Sequence, residues 1–100
     1  MFFRNEKYAI LGLTKSYALA FAPYVRVNCA APGYMDTESL NSREDWTADR
    51  RRFVAQAAPL KAIGKPDNLV HLVLFMASDD AIFMTGNTII CDGGFSMPGA

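Results

Sequence analysis

The sequence predicts an α/β fold built on a parallel pair of strands, in the order helix, strand, helices, strand, and three observations carry that prediction. Residues 6–21 are apolar at helical spacing. Residues 25–31 and 87–91 are short runs of β-branched or small apolar residues, each closed by a turn signal. The connection between those runs is long and contains its own helix signals. Two strands joined by a long helical crossover lie parallel, which places the chain in the α/β class.

The first helix is expected over residues 6–21. Leu11, Thr14, Lys15 and Ala18 form one row and Ile10, Leu13, Tyr17 and Phe21 another, with only Thr14, Lys15 and Ser16 interrupting the apolar surface. A helix apolar on nearly every face needs a sheet on one side and a second partner, such as another subunit's helix, on the other. Pro23 ends it, because proline lacks the backbone donor and disfavours helical geometry before it. A strand is expected over residues 25–31, with Val25 and Val27 as β-branched residues, Arg26 and Asn28 as polar interruptions and Pro32-Gly33 as its stop. The turn before it, residues 22–26, is short.

The next stretch, residues 34–52, is the most polar of the chain and suits an excursion with short helices. One of these is expected near residues 47–57 with Thr47 as N-cap. Gly64-Lys65-Pro66-Asp67 is a helix-start signal, with Pro66 near the first helical position and Asp67 favourable to the dipole. That helix runs to about Ser78 with Leu69, Leu72, Val73, Met76 and Ala77 on one face, and ends before Asp79-Asp80, which a helix C-terminus disfavours. Thr85-Gly86 makes a turn, and residues 87–91 form the last strand, stopped by Asp92-Gly93-Gly94. Parallel sheets are normally covered on both faces and have more than two strands, so these elements read as part of a domain, incomplete by itself.

Composition bounds the function. The chain has 100 residues, 51% of them hydrophobic and 20% charged, a globular balance with one domain as its ceiling. Ten Lys and Arg offset ten Asp and Glu, which leaves no wide basic surface for nucleic acid or an anionic membrane. No apolar run approaches the ~18–20 residues that span a bilayer, and the N-terminus lacks signal-peptide features, so a cytoplasmic location is expected. Cys29 and Cys91 have no second ligand at metal spacing and read as free buried thiols rather than a disulfide, with no metal site anywhere. His71 falls on a polar stripe with Asn68 and reads as solvated. The Arg50–Arg52 run reads as a solvated helix face offset by Glu44, Asp45 and Asp49, against binding of an anion.

Lys7-Tyr8-Ala9-Ile10-Leu11-Gly12, Arg26-Val27-Asn28, Pro32-Gly33-Tyr34-Met35-Asp36-Thr37, Gly64-Lys65-Pro66, Leu74-Phe75-Met76-Ala77-Ser78-Asp79 and Asp92-Gly93-Gly94 stand in a fixed order along the chain. In that order they resemble the C-terminal half of a short-chain dehydrogenase/reductase, similar to 3-oxoacyl-ACP-reductase-like members. The resemblance runs from about Phe3 to Met97. It implies the C-terminal portion of a Rossmann-type doubly wound parallel sheet, with residues 1–100 as a partial domain and residues 34–58 as a substrate-lid excursion. It also implies NAD- or NADP-dependent hydride transfer on a small-molecule alcohol or carbonyl.

In such enzymes a Tyr acts as acid and base, and a Lys four residues later, on the same helical face, favours its phenolate. Lys7 matches that Lys, but Phe3 occupies the expected Tyr position and has no proton to give. Tyr8, adjacent to Lys7, points about 100° away around a helix. The family's Ser and its glycine-rich phosphate loop would both precede Met1, and no Gly-x-Gly-x-x-Gly occurs in the chain. The resemblance assigns the remaining cofactor contacts to Lys7, Pro32, Gly33, Met35 and Thr37, with Thr37 equally suited to capping a helix. The expected function is therefore that of an NAD(P)-dependent oxidoreductase in truncated form, inactive alone and associating with itself or with a missing N-terminal half. The alternatives are a non-catalytic binding module and a decayed gene fragment.

Overall fold

The computed structural model describes the backbone of residues 2–97 and the side chains of residues 9–97. Its elements are α1 (Phe2–Phe21), β1 (Cys29–Pro32), α2 (Glu38–Asn41), α3 (Ala48–Ala57), α4 (Pro66–Ala77), a short 3-10 turn (Asp79–Ala81) and β2 (Thr88–Cys91). β1 and β2 pair as a two-stranded parallel sheet. The register is set by the Cys29 N–H donating to Asn87 O at 2.8 Å and the Gly33 N–H donating to Cys91 O at 3.1 Å. Both partners advance together along the chain, as parallel strands require. The chain divides into two compact units, one holding residues up to Ala31 with Leu72–Ile89, the other Pro32–His71 with the residues from Ile90 onward.

In the first unit, α1 seats a narrow stripe. Thr14 and Ala18 are buried and Leu11 is partly covered, while Ile10, Leu13, Tyr17 and Phe21 stay about half exposed. Of the two rows expected on this helix, the first is covered except at the exposed Lys15 and the other is open, with Tyr17 and Phe21 stacked on each other at 5.8 Å. The helix starts before the expected Glu6 and stops at Phe21, where the N–H groups of Tyr24 and Val25 both turn back to Phe21 O. Ala18 lies near Gly86, whose positive φ of 76° suits a residue without a side chain.

The strand expected over residues 25–31 is shorter than its sequence pattern and begins only at Cys29. The reason is a set of bonds that replaces the ladder. The Val27 N–H donates to Thr85 Oγ1 at 3.1 Å, and Gly86 N–H returns to Val27 O at 2.7 Å. Asn28 Nδ2 donates to Met84 O while its Oδ1 accepts from the Asn87 N–H. Arg26 spans wider still, donating to Met76 O at 2.9 Å and to Ser78 O and Met84 O at 3.3 Å. Its guanidinium thus supplies a donor to Met76 O at the C-terminal end of α4, a place that also favours positive charge.

The second unit gathers around Trp46, Val54 and Ile63, with Leu40 and Ala55 packed against them. Thr47 caps α3 as expected, its hydroxyl oxygen accepting from the Arg50 N–H at 3.1 Å. The start of α4 is Pro66, also as expected, and Asn68 Oδ1 accepts from the Lys65 N–H just before it. Both cysteines are free and partly buried. No helix among the described residues is long and apolar enough to cross a membrane.

Replacing Arg26 by Met keeps the stem but takes from Met76 O its donor, while Ser78 O keeps the Ala81 N–H and Met84 O keeps Asn28 Nδ2. Arg26→Met is expected to cost about 1–3 kcal/mol in denaturant unfolding, with the fastest new amide exchange in the last turn of α4. Unchanged stability would remove Arg26 from its place in the fold.

Candidate functional site in the loop after β1

The loop that leaves β1, residues 32–37, holds four of the residues expected to contact a cofactor. Gly33 continues the strand pairing through Cys91 and lies directly against Asp92. A Cβ on Gly33 would fall 2.6 Å from the Asp92 Cβ and 3.0 Å from its Cα. The close approach therefore demands glycine on grounds of space. Asp92 is itself fixed, its Oδ1 accepting from the Gly94 N–H at 2.8 Å and its Oδ2 from the Ser96 N–H at 2.9 Å. The Ser96 side chain first, and then these backbone donors, hold the Asp92 carboxyl below its ordinary value. The Asp-Gly-Gly stop of β2 thus acts as a bracket against which the β1 loop rests.

Beyond Gly33 the loop runs as a single parallel bridge between Met35 and Gly64. Gly64 N–H donates to Tyr34 O at 3.0 Å and Asp36 N–H donates to Gly64 O at 2.8 Å. In a parallel bridge of this kind the residues on either side of Met35 do the pairing, so the peptide groups of Met35 itself face the other way. Its carbonyl accepts from the Thr37 N–H at 2.8 Å. Its N–H has no partner among the described residues, although the side chain is buried. Gly64 tolerates this arrangement because a Cβ there would collide with the Met35 sulfur.

Thr37 closes the loop as the N-cap of α2, its Oγ1 accepting from the Leu40 N–H at 3.2 Å. The two roles weighed for it are compatible, since a hydroxyl oxygen that accepts still has a proton to donate. Pro32 ends β1 and is exposed. The remaining expected contact, Lys7, and Phe3 at the expected Tyr position both lie within α1, but their side chains fall outside the described residues.

Three contacts at this loop carry no signal in the sequence pattern. Tyr34 stacks on Trp46 with centroids 5.3 Å apart and planes inclined by 10°, and Phe95 meets Tyr34 edge-on at 5.7 Å. Arg51 grips Asp36 with a fork, its Nη2 lying 2.6 Å from Oδ2 and its Nε 3.4 Å from Oδ1. The Trp46 indole N–H is buried without a partner among the described residues, a cost of about 1–3 kcal/mol that the stack and the Val54–Ile63 packing must offset. The Arg50–Arg52 run is thus only partly a solvated face: Arg51 is committed to Asp36, and Arg52 pairs with Asp49 at 3.1 Å. Asp45 pairs with Arg43, whose hydrogen bond pushes the Asp45 carboxyl below its ordinary value.

Elsewhere, an open groove of about 520 Å³ lies beside Tyr24, Val25, Val73 and Met76. Its polar walls, Arg26 and Asn28, already bond to backbone groups, so they have little left to offer a ligand. His71 is exposed, and no cluster of three metal-ligating residues occurs among the described residues. The chemistry available at the loop is accordingly that of polar recognition, with an open amide at Met35 and a hydroxyl at Thr37.

Gly33→Ala tests the close approach. The added methyl meets backbone as well as side chain at Asp92, and overpacking of this kind is expected to cost about 1–3 kcal/mol. Gly12→Ala is the control, because a Cβ there meets nothing within 4 Å. Equal melting points for the two variants would contradict the geometry.

A family model described as enoyl-(acyl carrier protein) reductase matches residues 3–96. Tropinone reductase-like 3 of Erythroxylum coca is 42% identical over 91 residues, covering 88% of this chain and 34% of that protein. Dehydrogenase/reductase SDR family member 4 of Mus musculus is 38% identical over 90 residues, covering 89% of this chain and 32% of that protein. Among solved structures, ligand-free aldohexose dehydrogenase of Thermoplasma acidophilum superposes with a TM-score of 0.85 at 33% identity, over 95% of this chain and 40% of that one. A mutant 4-hydroxyisoleucine dehydrogenase complexed with NADH and succinate gives a TM-score of 0.84 at 29% identity, over 94% of this chain and 39% of that one. The chain spans about a third of the length of these curated relatives. With its parallel strands, its glycine-bracketed loop and this agreement along nearly its whole length, it belongs to the short-chain dehydrogenase/reductase family of oxidoreductases.

Proposed function

We propose that this chain carries the nicotinamide-binding side of an NAD(P)-dependent oxidoreductase acting on a small alcohol or carbonyl, and that it does not turn over substrate alone. The observation that supports the reading best is the open Met35 amide. It stands at the carboxyl end of β1, where open α/β sheets receive their ligands. A carboxamide oxygen there would accept from the Met35 N–H, and the Thr37 hydroxyl would direct its proton to the same group. Gly33 lets the backbone approach closely, and Pro32 fixes the direction in which the loop leaves the strand. Lys7 would bond the ribose. A bound nicotinamide cofactor supplies the hydride; what the chain's own residues do is hold and orient its ring.

The reading of inactivity rests on the residues. Phe3 offers no proton where the family has its Tyr, and the chain contains no glycine-rich phosphate loop. Turnover then requires groups that residues 1–100 do not supply, and residues 34–58 would act as the substrate lid only with those groups in place. The open row of Ile10, Leu13, Tyr17 and Phe21 supports association, either with a second copy or with a chain supplying the remainder of the domain. A cytoplasmic setting goes with this reading.

Two measurements check it. In a thermal melt, a cofactor present at 100 times its dissociation constant adds about 2.7 kcal/mol and should raise the midpoint by roughly 10 °C. No shift with either NAD(H) or NADP(H) would count against a nicotinamide site. Phe3→Tyr by itself is expected to give no carbonyl reduction, because the phosphate cradle and the Ser are still lacking. Cofactor-dependent turnover by that single variant would overturn the reading of inactivity.

A further inference from the structure

The segment that carries the open Met35 amide is held from both sides in the sequence by contacts to the stretch that follows it. Tyr34, before Met35, stacks on Trp46; Asp36, after it, is gripped by the Arg51 fork from α3. The same two residues supply the backbone groups that bond to Gly64. Any rotation of the Met35 peptide therefore has to move the Tyr34 ring, the Asp36 carboxylate or both. Met35 is the residue of the three whose peptide groups take no part in the bonds to Gly64, and it sits between two anchored neighbours.

We infer that Asp36 and Arg51 are positioning residues: with the Tyr34–Trp46 stack they form a two-point clamp that sets the direction of the Met35 N–H and couples its occupancy to α3. The inference rests on the reading that Met35 receives the nicotinamide carboxamide, and it adds which side chains fix the affinity of that contact. The pair is suited to the task by its geometry. A guanidinium fork on a carboxylate constrains orientation as well as distance, which a single ammonium contact does not. The pair is half exposed, so its effect on overall stability is small and its effect on orientation can be read separately. A ligand that tightens around the Met35 amide would steady α3 through the fork, and a loosened α3 would release the amide.

Trp46 is the only tryptophan of the chain and reports the stack directly. The experiment uses the full chain, with NAD⁺ as the probe so that reduced-cofactor absorbance does not interfere. Arg51→Gln and Asp36→Asn are each expected to red-shift the Trp46 emission and to raise the NAD⁺ dissociation constant by about two- to five-fold. The charge-reversed double variant, Asp36→Arg with Arg51→Asp, is expected to return both readouts most of the way to the parent. A pair with a merely structural role would lower the melting point without moving emission or affinity in the folded state. Should a single variant lose its cooperative melt, Arg51→Lys takes its place, with an intermediate dissociation constant expected because the charge is kept and the fork is lost. Parental emission and parental affinity in the folded single variants, with NAD⁺ still stabilising the parent, overturn the clamp and leave the Met35 reading standing. Absence of any NAD⁺ effect on the parent overturns the Met35 reading, and with it the coupling inferred here, even where the emission shift survives.

Discussion

The parallel pairing of β1 with β2 is the constraint on which the rest of the structure depends. Parallel strands cannot be joined by a tight turn, so the chain between them must make a long crossover, and α2, α3 and α4 are what that crossover contains. The same pairing places two turn-forming segments at the carboxyl ends of the strands. Gly33 follows β1 and Asp92 follows β2, close enough that only glycine fits at the first of them. The site is thus a consequence of strand direction: the loop is where it is because both strands point that way.

From this constraint the polar chemistry follows in steps. Asp92 is held by the N–H groups of Gly94 and Ser96 and supports Gly33; Gly64 takes the Tyr34 carbonyl and the Asp36 N–H; the Met35 N–H, outside that bridge, has no partner among the described residues. The chain spans about a third of its curated relatives' length, and the nicotinamide site proposed for it is one side of a fuller site.

How much of this was legible in the sequence varies with the range of the interactions. Helical periodicity and end signals placed α1, α3 and α4, including the Thr47 cap and the Pro66 start, because those signals lie within a few residues of each other. The start of β1 was misread at Val25. Its β-branched pattern is real, but residues 25–28 bond through the side chains of Arg26, Asn28 and Thr85 to a segment far along the chain. Pro32, Gly33, Met35 and Thr37 were singled out through resemblance, whereas the close approach of Gly33 to Asp92 and of Gly64 to Met35 is a property of the folded chain. Tyr34, Asp36, Trp46 and Arg51 had no signal: an ion pair or a stack between distant residues leaves no periodicity behind.

Amide hydrogen exchange of the free chain, read residue by residue, tests the central claim most directly. The account predicts that Cys29, Gly33, Asp36 and Gly64, each donating to a named carbonyl, exchange slowly as a group, while Met35 between them exchanges markedly faster. Met35 protected to the same degree as Asp36 would mean that its N–H is already satisfied, and the donor on which the proposed function rests would be lost.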